Sequence, residues 1–122
     1  TAAVAPAIIL LETRVKHHFH HVSIKSDDQL KPEFLPTNPR GRVPALGLKN
    51  GTVLKESGAT IEYLAARVPQ SKLTPDDPVD AAYMRSMMYY VAATMHVDHL
   101  HKQRHHLWAD HPDSHANMNA KI

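Results

Sequence analysis

Eleven histidines are the most conspicuous reactive groups in this chain. His17, His18, His20 and His21 crowd an early stretch, while His96, His99, His101, His105, His106 and His111 crowd a late one. Imidazoles at such density signal metal binding, pH sensitivity or a mere bias of composition. His101 and His105 stand four residues apart, so on a helix they share a face and could jointly ligate zinc, nickel or copper. A firm site wants a third protein ligand, and neither a cysteine nor a His-Glu-x-x-His pattern supplies one. No metal is therefore expected, and the plainer reading is a polar helix face built with imidazole. The absence of cysteine excludes a disulfide framework, an internal thiol nucleophile and a Cys-ligated zinc. It also fits a reducing, cytoplasmic compartment. Any thiol chemistry must use a borrowed thiol. The remaining suggestive point is Ser57, which heads a stretch of helical apolar spacing and can cap it, leaving backbone amides aimed outward.

The elements that would position these groups are legible in outline. Ile8, Ile9, Leu10, Leu11 and Val15 follow helical spacing from Ala5 to Lys16. His18 to Lys25 alternates around Phe19, Val22 and Ile24, which predicts a strand closed by Ser26-Asp27-Asp28. A short helix is expected over Leu30 to Leu35, followed by a dense turn from Pro36 to Gly41. Val43 to Leu48 and Thr52 to Lys55 flank Lys49-Asn50-Gly51, the strongest local signal of an antiparallel hairpin. From Ser57 a helix carries Ile61, Leu64, Ala65 and Val68 on one stripe and stops before Pro69. Asp77 as cap, Pro78 at the first helical position and Asp80 in the first turn open a long helix running to about Ala109. Its stripe of Met84, Met88, Val91 and Met95 needs neighbours, and the start of one more helix is expected from Asp113. Three domain segments follow: residues 1–70, a linker at 71–78, and residues 79–122. The first reads as an α/β unit lacking an opening strand and the second as a bundle lacking most of its helices, so both ends look cut.

Composition narrows the function. The 122 residues are 43% hydrophobic and 21% charged, which rules out disorder and suits one ordinary domain or two small ones. Fourteen Lys and Arg against twelve Asp and Glu give a net charge of +2, with no basic block of the kind that tracks phosphates. No nucleic-acid partner is expected. The longest run free of charge or histidine, Thr1 to Leu11, falls far short of the roughly 20 apolar residues of a spanning helix. No membrane partner is expected either.

Two strings carry a resemblance. Asn38-Pro39-Arg40-Gly41-Arg42-Val43-Pro44-Ala45-Leu46, then Gly51-Thr52-Val53-Leu54-Lys55-Glu56-Ser57-Gly58-Ala59-Thr60-Ile61-Glu62-Tyr63-Leu64-Ala65, closely resemble the glutathione S-transferase family in order and spacing. The resemblance extends to Ala5 to Glu12, Pro32-Glu33-Phe34-Leu35 and Met95-His96-Val97, with the flavour of bacterial beta-class members. It implies a thioredoxin-like N-terminal domain whose opening strand is missing here, followed by the start of an all-α C-terminal domain, in a homodimer. It also implies glutathione as co-substrate and a small hydrophobic electrophile as second substrate.

The resemblance assigns roles residue by residue. Glutathione is a small peptide with two carboxylates and an amine. Ser57 and the following amides would hold a carboxylate at the positive end of a helix, and Glu56 would meet the ammonium group. A cis Pro44 would turn the Val43 amide and carbonyl outward to pair with the cysteinyl backbone. Arg42 would add positive potential, and His96 would reach toward the thiol and help hold a thiolate. Where beta-like members carry Cys and Ser before the first helix, this chain has Ala2 and Ala3, which leaves Thr1 as the hydroxyl nearest that position. Taken singly, Ser57 is a helix cap, Pro44 a strand-end turn, Glu56 and Arg42 solvated charges, and His96 a half-buried polar residue. Tyr89, Tyr90, Met87 and Met88 could line an electrophile pocket, although such spacing is more often core. Two further readings stand beside the transferase: a non-catalytic glutathione-binding or scaffold module, which Ala2 and Ala3 favour, and a His-rich metal-binding protein.

Overall fold

The structure, a computed structural model, describes residues 2–121, apart from the side chain of Gln103. It divides into two compact units, one ending at Pro75 and one beginning at Asp76.

In the first unit, helix α1 spans Val4–Thr13 and ends as Arg14 swings to φ 54°, its N–H returning to the Leu11 carbonyl. Pro6 and Leu10, four apart, are its buried residues, whereas Ile8 and Leu11 on the same apolar run stay exposed. Strand β1 (Ala45–Gly47) and strand β2 (Val53–Lys55) form an antiparallel pair in which Leu46 faces Leu54. Gly51 at φ 86° closes the turn between them, donating to the Leu48 carbonyl, and Asn50 Oδ1 accepts from the Thr52 N–H. These are the roles that Asn and Gly fill in a tight hairpin. Helix α2 (Ser57–Arg67) leaves β2 directly and packs on both β2 and α1. Its buried face is Thr60, Leu64 and Ala65, with Val68 just beyond, and together with Leu10 this is the core of the unit.

Two expected elements do not form. Residues 18–25 make no strand: among the described residues no backbone ladder pairs with them, and the end of the stretch is folded on itself. Ser23 N–H donates to Asp28 Oδ2 at 2.9 Å while Asp28 N–H donates back to the Ser23 carbonyl at 3.0 Å. Such local side-chain bonds compete with ladder pairing. No helix spans residues 30–35: Leu30 ends a 3-10 turn over Asp28–Leu30, and the following residues bend and turn, with the Phe34 and Leu35 N–H both donating to the Lys31 carbonyl.

The second unit starts as expected. Helix α3 (Pro78–Tyr90) is capped by Asp77, whose side chain accepts from the N–H groups of Val79 and Asp80. The long helix is interrupted, however, by a π-helical turn over Val91–Met95 before α4 (His96–Arg104) resumes. A π-turn inserts a residue into the helical register. The methionine stripe is accordingly split: Met84 and Met88 are half-buried, while Val91 and Met95 are exposed. After a 3-10 turn at His105–Leu107, helix α5 (Pro112–Lys121) follows. Among the described residues no helix is long and apolar enough to cross a membrane.

Candidate functional site

The site candidates of the first unit gather where the hairpin meets α2. The chain enters β1 through a cis peptide between Val43 and Pro44. Because Ala45 pairs with Lys55, the register sets Pro44 across from Glu56 at the same end of the hairpin. Glu56 makes the passage from β2 into α2 at φ 68° and ψ 128°, a region costly for any residue with a Cβ. Its carboxylate is nevertheless exposed, and its carbonyl accepts from both the N–H and the Oγ1 of Thr60, at 3.1 and 3.0 Å. Thr60 is 1% exposed, so this pair of bonds anchors the strained residue to the core.

Ser57 is not the cap of α2. It is the first helical residue, Glu56 occupies the cap position, and no side chain caps the helix. The reason is tertiary: Ser57 Oγ donates to the Ala2 carbonyl at 3.0 Å, tying the start of α2 to the segment that enters α1. Among the described residues no side chain caps the leading amides of α2, which retain the positive end of the helix dipole.

Arg40, which the sequence did not single out, reaches Glu56, while Arg42 is exposed. The Arg40 Nη1 lies 3.3 Å from Glu56 Oε1. Gly41, at φ 58°, separates the two arginines, and a Cβ built there would come within 2.6 Å of Leu30 Cδ2. Two arginines flanking a glycine give no sequence signal as to which one meets Glu56. His96 opens α4 in the second unit and is exposed, and Thr1 lies outside the described residues. The late histidines form ring contacts, His105 with His115 at 4.0 Å and His101 with Trp108 at 4.3 Å between centroids. Among the described residues, no group of three or more His, Asp or Glu side chains is arranged to hold a metal ion.

Residues 3–67 match the family model of the glutathione S-transferase N-terminal domain. The chain belongs to the glutathione S-transferase family. Among the solved structures, a glutathione transferase homolog from Sulfitobacter with bound glutathione is 45% identical, at a TM-score of 0.94 over 99% of this chain and 58% of its own. The maleylacetoacetate isomerase of Pseudomonas aeruginosa is 42% identical over 69 residues, which are 57% of this chain and 32% of the isomerase. Glutathione S-transferase D7 of Drosophila melanogaster is 36% identical over 77 residues, 62% of this chain and 34% of that protein. The chain thus spans about a third of the curated relatives' length in those matches. Its hairpin and helices are those of the thioredoxin-like N-terminal domain, followed by the start of the helical C-terminal domain.

Proposed function

We propose that this chain carries the glutathione site of a transferase in which Glu56 receives the glutathione ammonium group and the backbone N–H of Ser57, with the next leading amides of α2, receives the adjacent carboxylate, the Ser57 hydroxyl being committed to Ala2. Val43 and Pro44 present the backbone edge to the cysteinyl residue, and Arg42 adds positive potential. The observation that carries this reading is the uncapped start of α2 beside the strained Glu56, with Ser57 tied to Ala2. A free helix N-terminus next to an exposed carboxylate complements a zwitterionic head group. The 45% identity to a homolog with bound glutathione supports it.

In the reaction proposed for the whole protein, the glutathione thiol releases its proton and the thiolate attacks an electrophilic carbon of an apolar substrate. A carbon–sulfur bond forms, and the leaving group or the adjacent unsaturation takes the electron pair. His96 is the proposed assisting donor to the thiolate, in a cytoplasmic homodimer as the resemblance implies. No metal is required. Ala2 and Ala3, where similar proteins carry Cys and Ser, favour a second reading: glutathione is bound without efficient turnover.

A thermal-unfolding titration with reduced glutathione tests the site. Ligand at about 100 times its dissociation constant adds roughly 2.7 kcal/mol of stability, and Glu56→Ala should abolish the shift. A clean melt that glutathione leaves unmoved would sink the reading. Turnover of a generic aryl halide then separates transferase from binding module, and its loss in His96→Ala would implicate the imidazole.

A further inference from the structure

One buried polar side chain lies directly behind the candidate site. Asn38 is 2% exposed, and all four of its polar groups are engaged. Its Nδ2 donates to the Arg42 carbonyl at 2.7 Å and its Oδ1 accepts from the Arg40 N–H at 3.2 Å. Its own N–H donates to the Phe34 carbonyl, and its carbonyl accepts from the Gly41 N–H. A buried amide satisfied at both ends holds its partners firmly, because breaking one bond leaves a desolvated group behind.

The groups that Asn38 grips lead to two different parts of the site. The Arg42 carbonyl and the Val43 N–H belong to a single planar peptide unit. Among the described residues only Val43–Pro44 is cis, so the Arg42–Val43 unit is trans and its N–H points opposite to its carbonyl. With the carbonyl pinned inward by Asn38, the Val43 N–H is aimed away from it. On the other side, the Arg40 backbone is pinned while its guanidinium meets Glu56 at 3.3 Å.

We infer that Asn38 is a positioning residue of the glutathione site: its hold on the Arg42 carbonyl aims the Val43 N–H at the ligand backbone, and its hold on Arg40 sets the cation beside Glu56. The inference rests on the glutathione reading above. Asn38→Asp tests it by keeping the acceptor for the Arg40 N–H while turning an oxygen onto the Arg42 carbonyl. Calorimetric titration of the whole chain with reduced glutathione, well below each melting temperature, should show binding weakened about tenfold or more. A merely structural asparagine would lower the melting temperature and leave that dissociation constant unchanged. Wild-type binding with an unchanged constant in folded Asn38→Asp overturns the inference and leaves the glutathione reading intact. Absence of binding in the wild type overturns both. If Asn38→Asp does not fold, Asn38→Ser, which brings no opposed oxygen, decides by the same constant. If neither folds, wild-type amide spectra decide: the Asn38 side-chain and Val43 N–H resonances should shift together with glutathione, and an unmoved Val43 N–H overturns the inference.

Discussion

Replacing Glu56 by glycine should make the chain more stable and blind to glutathione at once. Glu56 sits at φ 68° and ψ 128°, a conformation that costs a residue with a Cβ about 1–3 kcal/mol. Glycine removes the clash but has more freedom to lose on folding, which returns about 0.5–1 kcal/mol. The Arg40–Glu56 pair also disappears, and with side chains 69% and 64% exposed it contributes at most about 1 kcal/mol after solvent screening. Taking the middle of each range leaves Glu56→Gly more stable by about 1 kcal/mol, or about 4–8 °C in Tm for a unit of this size. The same change deletes the carboxylate proposed for the glutathione ammonium, so the ligand-dependent rise in Tm should vanish. Glu56→Ala separates the two effects: it retains the Cβ and the strain, so it should melt no higher than the wild type while also losing the ligand response. Circular-dichroism melts of the three chains, with and without reduced glutathione, provide the measurement. Glu56→Gly melting at or below Glu56→Ala would refute the strain argument, and an undiminished glutathione shift in either variant would refute the role of the carboxylate.

Leu64→Ala should destabilise the first unit by about 2–5 kcal/mol, because the side chain is 3% exposed in a core of few residues; a urea midpoint unchanged by the substitution would contradict that core. Asp77→Ala removes the acceptor for the Val79 and Asp80 N–H groups at 2.8 and 3.0 Å and should lower stability by about 1 kcal/mol, read as an earlier loss of helical ellipticity on heating. Asp28 titrates below the ordinary carboxylate range, chiefly because Lys31 Nζ donates to its Oδ1 at 2.5 Å and then because the Ser23 N–H donates to it. A depressed carboxylate pKa stabilises the fold above the unfolded-state value, and the contribution is lost as pH falls through the lowered one. Lys31→Met should therefore raise the Asp28 pKa toward its usual value in a carbon-detected NMR titration, and a curve that does not move would remove Lys31 as the main cause.

Local chemistry made much of this chain legible. Lys49-Asn50-Gly51 between apolar runs announces the hairpin, and Asp77-Pro78 with Asp80 announces α3, because turn and cap residues act on backbone within three or four positions of themselves. Of the stripe Ile61, Leu64, Ala65 and Val68, the last three are buried and Ile61 is half-buried. Alternation at residues 18–25 misled because a strand exists only through a neighbour, and among the described residues none pairs with this segment, whose end bonds to itself through Ser23 and Asp28. The methionine stripe misled because a π-turn shifts the helical register without a sequence signature of its own.

By itself, then, the sequence determined the family, the hairpin, the starts of α2 and α3, and the residue types of the candidate site. Tertiary structure alone decided how those residues are used: that Ser57 turns to Ala2 fifty-five positions away in place of capping α2, that Arg40 and not Arg42 meets Glu56, and that Asn38 stands behind both. The physical reason is one of range. Caps and turns are local energies written in adjacent residues, whereas a hydroxyl or guanidinium chooses its partner from whatever the folded chain brings within about 3 Å.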